Sequence, residues 1–277
     1  MTSDLFQDFR QAVGRPEDKI DLGRAALTIA ISDYSDLDIS GYLSRIDELA
    51  ARVRARLGAD PNVYRSIAAF NCVLFQEYGL RGNRENYFDP RNSFLNEVLD
   101  RKTGIPISLS VLYMEVAQRI GLTLQGVGFP GHFLTKYRGN DEEIVIDPFY
   151  DGEIRSRESL ENILYKLYGG KCPFHSDFLE PVTKKQILRR MLTNLKMIYL
   201  HDNHPMKALW AMERLVILDP ASAEDIRDRG VSYLKLECFK QALADLETYL
   251  RLAPQAEDAS AVREQVVKLS KQVAQIH

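Results

Sequence analysis

Cysteine is scarce in this 277-residue sequence: Cys72, Cys172 and Cys238 are three, an odd number, and lie far apart. That excludes a disulfide framework and leaves free thiols as the expectation. Neither sign of charge dominates. Lys and Arg number 36 against 39 Asp and Glu, the net charge is −3, and the basic residues are scattered. No basic face for a phosphate backbone follows from that, so nucleic acid is not an expected partner. Long apolar runs are also missing. None reaches the roughly 18 residues a membrane-spanning helix needs. The opening MTSDLFQDFRQAVGRPEDK is polar and interrupted by charges, unlike a secretory leader. The expectation is a cytoplasmic protein with no membrane partner. What is present, 45% apolar and 27% charged residues, is the balance of a soluble globular chain long enough for two ordinary domains.

The first 80 residues read as helices. Ile39, Tyr42, Leu43, Ile46, Leu49, Ala50, Val53 and Leu57 recur at three and four residues, one buried helical face that ends at Gly58. Val63, Tyr64, Ile67, Phe70, Leu74, Phe75 and Tyr78 repeat the spacing up to Gly79, placed as a left-handed cap. The turn formers of GNRENYFDP then carry the chain across the surface, and Ser93 is placed to cap a short helix through Asp100. Pro106 suits the first turn of the next helix, which runs through Ile107, Val111, Met114, Val116 and Ile120 to Gly121. Three strand-like segments follow: LTLQGVGF, HFLTKYR and EIVIDPF, the last two joined by GNDE. A helix over about 159–168 closes the region. Helices followed by adjacent strands indicate an α+β arrangement with an antiparallel sheet, expected to span residues 1–180.

From 181 to 277 the sequence is helical and repeats itself. Ala208-Leu209 matches Ala242-Leu243, Met212 matches Leu246, Leu218 matches Leu252 and Pro220 matches Pro254, each shifted by 34 residues. That period belongs to tetratricopeptide helix pairs, in which small residues such as Gly230 and Ala242 let the helices approach. Two repeats and a capping helix from about Asp258 are expected. Trp210, the single tryptophan, reads as packing.

The stretch NYFDPRNSFLNEVLDRKTGIPISLSVLYMEVAQRIGL, with GVGFPGHFL and IDPF after it, resembles the SirB-type family of bacterial transglutaminase-like proteins with a C-terminal tetratricopeptide region. The resemblance covers nearly the whole chain. A similar domain occurs in a eukaryotic F-box protein, which implies use in protein assemblies. The resemblance further implies a papain-like core built around a cysteine at a helix N-terminus, a histidine on the next strand and an aspartate on the one after. In that order the helix dipole acidifies the thiol, the imidazole takes the proton and the carboxylate fixes the imidazole. His132 and Asp147 match the second and third members. Pro106 stands where the cysteine should be, and proline has no nucleophile.

Helical geometry limits what could substitute for that cysteine. Ser108 points roughly 200° around the helix from Pro106, at about 100° per residue, and Ser110 returns to that face about one turn deeper. Cys72, in an apolar run, reads as a small buried hydrophobe. His132 with Asp147 can equally be a structural pair inside a sheet. The polar segment Asn83 to Ser93 can be a turn held by side-chain-to-backbone bonds or the lip of a cleft. The candidate cleft comprises Asn92, Ser93, Pro106, Ser110 and Gly131. Cys172 with His175 and His201 with His204 have metal-ligand spacing, but 25 residues of loop-like sequence between the pairs give a zinc site little support, and no cofactor is expected. The leading expectation is a non-catalytic or vestigial enzyme that binds a protein or peptide through its cleft and repeats. The alternative is a hydrolase or acyl transferase on peptide or amide bonds that uses His132 and Asp147 with another nucleophile.

Overall fold

A computed structural model describes residues 6–58, 62–139 and 142–275. Asn140 and Asp141, in the GNDE connection, lie outside the described residues. The chain forms two compact units: one is Gln11–Met191, the other Met1–Arg10 with Leu192–His277. The sequence composition changes at 180, before the long helix Lys184–His201, whereas the packing divides the chain inside that helix.

The first unit carries the helices α1 (Gln7–Val13, shared with the other unit), α2 (Leu22–Ile29), α3 (Ile39–Arg56) and α4 (Val63–Asn71). α4 continues as a π-helical stretch, Cys72–Glu77. β1 (Arg81–Gly82) pairs in parallel with β2 (Thr103–Gly104), and α5 (Leu95–Arg101) lies between them in sequence. α6 (Pro106–Arg119) follows, then β3 (Leu124–Val127), β4 (Leu134–Arg138), β5 (Glu143–Asp147), β6 (Glu153–Arg155) and α7 (Arg157–Tyr168). β3 to β6 form an antiparallel sheet in sequence order. The α+β class with an antiparallel sheet is therefore what the chain has. The strand β6 was not read from the sequence.

α6 is the centre of this unit. Every residue from Pro106 to Ala117 is buried, as expected of a helix packed on all sides, and it meets α2, α3, β3, β4 and the 3-10 turn Pro148–Tyr150. Pro106 takes the first helical position, where a missing N–H costs nothing. Two local expectations are corrected. The residue before α5 is Phe94, which gives no side-chain cap, and the Ser93 hydroxyl is buried without a hydrogen-bond partner. α7 starts two residues earlier than read, because Ser156 accepts from the Ser159 amide and caps it.

The second unit contains the C-terminal part of α8 (Lys184–His201), α9 (Pro205–Leu218), α10 (Ala223–Lys235), α11 (Phe239–Leu252) and α12 (Ala259–Gln275). Gly230 permits the close approach of α10 and α11: an added Cβ would stand 3.0 Å from the Asp245 Cβ. Arg229 forks onto both oxygens of Asp245 at 2.7 Å and reaches Glu213 at 2.8 Å. Residues 6–10 belong here: Arg214, 2% exposed, lies under the rings of Phe6 and Phe9 at 4.9 and 5.9 Å. That differs from the expected domain of residues 1–180, which includes this segment.

Candidate functional site

His132 is delivered by a tight turn. Its amide bonds the Phe129 carbonyl at 3.0 Å, with Pro130 and Gly131 between and φ of +68° at Gly131. Proline then glycine at the central positions is what a type II turn requires, so the P-G-H sequence places the imidazole just ahead of β4. On the adjacent strand β5, Asp147 ends the ladder. Thr135 pairs with Ile146, so Asp147 falls beside Leu134, and His132 is two residues back on the same face. The His132 Nε2 and Asp147 Oδ2 are 2.9 Å apart. A carboxylate only accepts, so Nε2 is the donor of this pair.

Asp147 is fully buried and has further partners. Its Oδ1 accepts from the Phe149 amide at 3.1 Å. Arg155 donates to Oδ2 from Nε at 3.0 Å and approaches it with Nη2 at 2.9 Å. The register explains this contact: Arg155 stands opposite Val145, the diagonal neighbour of Asp147 on one face of the sheet. The Arg155 side chain, 9% exposed, also pairs with Glu153 and lies 4.6 Å from the centre of the Tyr150 ring. A cleft of about 480 Å³ opens beside these groups, lined among others by Gly131, His132, Tyr150, Arg155, Asn162 and Lys166. Below it Arg190 donates to the His132 carbonyl at 2.7 Å. Burial holds the Arg190 guanidinium below its ordinary pKa, against the opposing influence of Tyr87 and Tyr168.

Most of the other candidate residues do not line this cleft. Of the five expected to line it, Gly131 does so; Asn92, Ser93, Pro106 and Ser110 are buried and are not among its lining residues. Asn92 is a structural hub: its amide donates to the carbonyls of Asn86 and Tyr87 at 2.7 and 3.2 Å, and its Oδ1 accepts from Asn83 at 3.1 Å. Ser108 donates to the Asn92 carbonyl at 2.6 Å and accepts from the Ile105 amide at 3.1 Å, which engages its hydroxyl in holding the start of α6. Ser110 is fully buried and its hydroxyl has no hydrogen-bond partner. Cys72 is half-buried and not the fully buried hydrophobe expected, its thiol 3.7 Å from Glu77. Among the described residues, no thiol or hydroxyl stands within hydrogen-bond distance of His132, and no three His, Cys, Asp or Glu side chains converge as a metal site. His201 pairs with Asp202. Sequence reading missed Arg155 and Tyr150. The signal was the Asp151-Gly152 pair following a strand, a hairpin signature that announces another strand.

The chain is similar to known families along its length. The transglutaminase-like superfamily matches residues 40–193 and the tetratricopeptide repeat matches 195–267. A UPF0162 protein of Xylella fastidiosa (strain Temecula1) is 37% identical over 264 residues, 94% of each chain. Relatives with the same family name occur in Vibrio cholerae, 34% identical over 73% of this chain and 75% of the relative, and in Pseudomonas aeruginosa, 30% identical over 84% of each. No solved structure matches. Coverage of this extent, with a transglutaminase-like core followed by repeats, means that the chain belongs to the UPF0162 family of the transglutaminase-like superfamily.

Proposed function

We propose that this protein is a non-catalytic, vestigial transglutaminase-like domain that serves as a protein or peptide interaction module through its cleft and its repeats, in the cytoplasm. The observation that carries the reading is the state of the His132–Asp147 pair. Its carboxylate is shared with Arg155 and the Phe149 amide, so it is not reserved for orienting the imidazole. Pro106, at the position that the resemblance gives to the cysteine, supplies neither a nucleophile nor an N–H for an oxyanion. A cleft of about 480 Å³ lies within the 300–1,000 Å³ typical of ligand sites, and stacked helix pairs offer extended surfaces to partners.

The test compares wild-type protein with His132→Ala on fluorogenic peptide amides and activated esters. The expected result is the same background rate for both. Turnover that disappears with the imidazole would replace this reading with that of a hydrolase or acyl transferase.

A further inference from the structure

The surroundings of the His132 cleft add a feature that catalysis does not call for. A chain of rings runs from solvent into it. Phe88 is 74% exposed and lies 5.4 Å from Tyr87, which lies 6.3 Å from Phe149; Phe149 lies 5.3 Å from Tyr150, and Tyr150 lies 6.1 Å from His132. Across the cleft, exposed Leu167 and Tyr168 crowd Gly131, where an added Cβ would stand 2.6 Å from Leu167 and 3.5 Å from the Tyr168 hydroxyl. Tyr150 and Leu167 line the cleft, and the exposed rings of Tyr87, Phe88 and Tyr168 connect to it through Phe149 and Gly131, the composition of a recognition surface and not of an ordinary solvated face.

The charges at this rim are unbalanced. Arg155 is matched by Asp147 and Glu153. Two other cations have no ion-pair partner among the described residues: Lys166, which lines the cleft, and Arg84, outside the lining, whose guanidinium carbon lies 4.5 Å from the centre of the Tyr150 ring. Glu158, the one acid among the cleft's lining residues, is also without an ion-pair partner among the described residues and offsets one of these two cations, which leaves an excess of one positive charge. Arg84, held against a ring, and Lys166, in the cleft wall, are both left without an acidic partner and are placed to meet an anionic one.

We infer that the cleft recognises an acidic peptide segment, with carboxylates facing Lys166 and Arg84 and the intervening aliphatic and backbone atoms lying on Tyr150, Tyr87, Phe88 and Leu167. This rests on reading the cleft as a binding site and adds the chemistry of its ligand. The Arg84 guanidinium, over the Tyr150 ring, has N–H donors in a fork that can grip a carboxylate. The charged contacts should make binding sensitive to salt.

The experiment selects a random heptapeptide phage library on full-length protein and repeats the selection on Lys166→Glu and Phe88→Ser. Both side chains are exposed, so both variants should unfold at the wild-type temperature, which circular dichroism checks. The expected pool is enriched in Asp and Glu, and the enrichment is lost with Lys166→Glu. An acidic heptapeptide synthesised from the pool should bind about tenfold more weakly to Lys166→Glu, a loss of about 1.4 kcal/mol. A pool of neutral or basic peptides lost with Phe88→Ser would overturn the acidic specificity while leaving the cleft a peptide site. No enrichment, or enrichment that neither variant changes, would overturn the cleft as a binding site altogether.

Discussion

A buried carboxylate that holds both an imidazole and a guanidinium is costly to remove, because the guanidinium is left charged and unpaired. Asp147→Ala should therefore destabilise the protein by about 3–5 kcal/mol in urea unfolding, and adding Arg155→Met should recover much of that loss, since the orphaned charge goes with it. Additive losses would show that the pair contributes independently. His132 and Asp147 were legible because a strand order and two short motifs, P-G-H and I-D-P, place them side by side. Arg155 was not legible, since its role depends on the register of a three-residue strand. The position of Pro106 allows a sharper test. It is the first residue of α6, so Pro106→Cys restores a thiol and an amide at a helix N-terminus. We expect fast, pH-dependent alkylation of this cysteine that slows in the double variant with His132→Ala, without turnover of amides, because substrate positioning is not restored with the thiol. An ordinary, slow thiol at 106 would separate that residue from the histidine and leave His132 and Asp147 a structural pair.

Among the elements, α6 was read correctly in extent but not in surroundings. Periodicity reports a helix's apolar face, and α6 has no exposed face over its first three turns. Its one buried acid, Glu115, is 3% exposed and bridges to Arg119 at 2.7 Å while the Gly23 amide at the start of α2 also donates to it. Burial pushes the Glu115 carboxyl above its ordinary 4.5, and Arg119 and Gly23 only partly offset this. A folded-state value above the unfolded one means that stability is fully present below about 4.5 and is lost as pH rises through the raised value. Asp89 runs the other way. Burial pushes it up, but the Arg91 hydrogen bonds and the Arg101 charge outweigh that and hold it below 3.8, so its contribution is present above 3.8 and lost as pH falls through the lowered value. In urea titrations across this range, Glu115→Gln should flatten the decline on the alkaline side of 4.5, and Asp89→Asn should flatten the acid-side decline. Unchanged pH slopes would show that neither carboxylate titrates differently in the folded protein. The turn around Asp89 was legible as a bonded turn, since Asp89 accepts from the Arg91 amide at 2.9 Å and Asn83 from the Asn86 amide at 2.9 Å.

At the scale of the whole chain, the 34-residue period identified the repeats because identical small and apolar positions recur wherever identical helix pairs stack. The division between the two parts was harder to read, because the composition changes at Pro181 while the packing changes later. The residues just after 180 are tied into the first unit. Val182 bonds the Gly126 carbonyl at 2.9 Å, and Pro181 bridges to Val127. Lys184 donates to the Ile20 carbonyl at 2.6 Å, and Ile187, Leu188 and Met191 are at most 2% exposed. Arg190 supports the turn that carries His132. A fragment ending at 180 discards three fully buried apolar side chains, each worth about 1.5–3 kcal/mol of burial, and leaves the His132 carbonyl without its donor. We therefore propose a functional boundary near 191. Fragment 11–191 should show a cooperative urea transition, and fragment 11–180 should show one shifted to much lower denaturant or none. Equal midpoints for the two fragments would place the boundary back at 180, where the sequence composition changes.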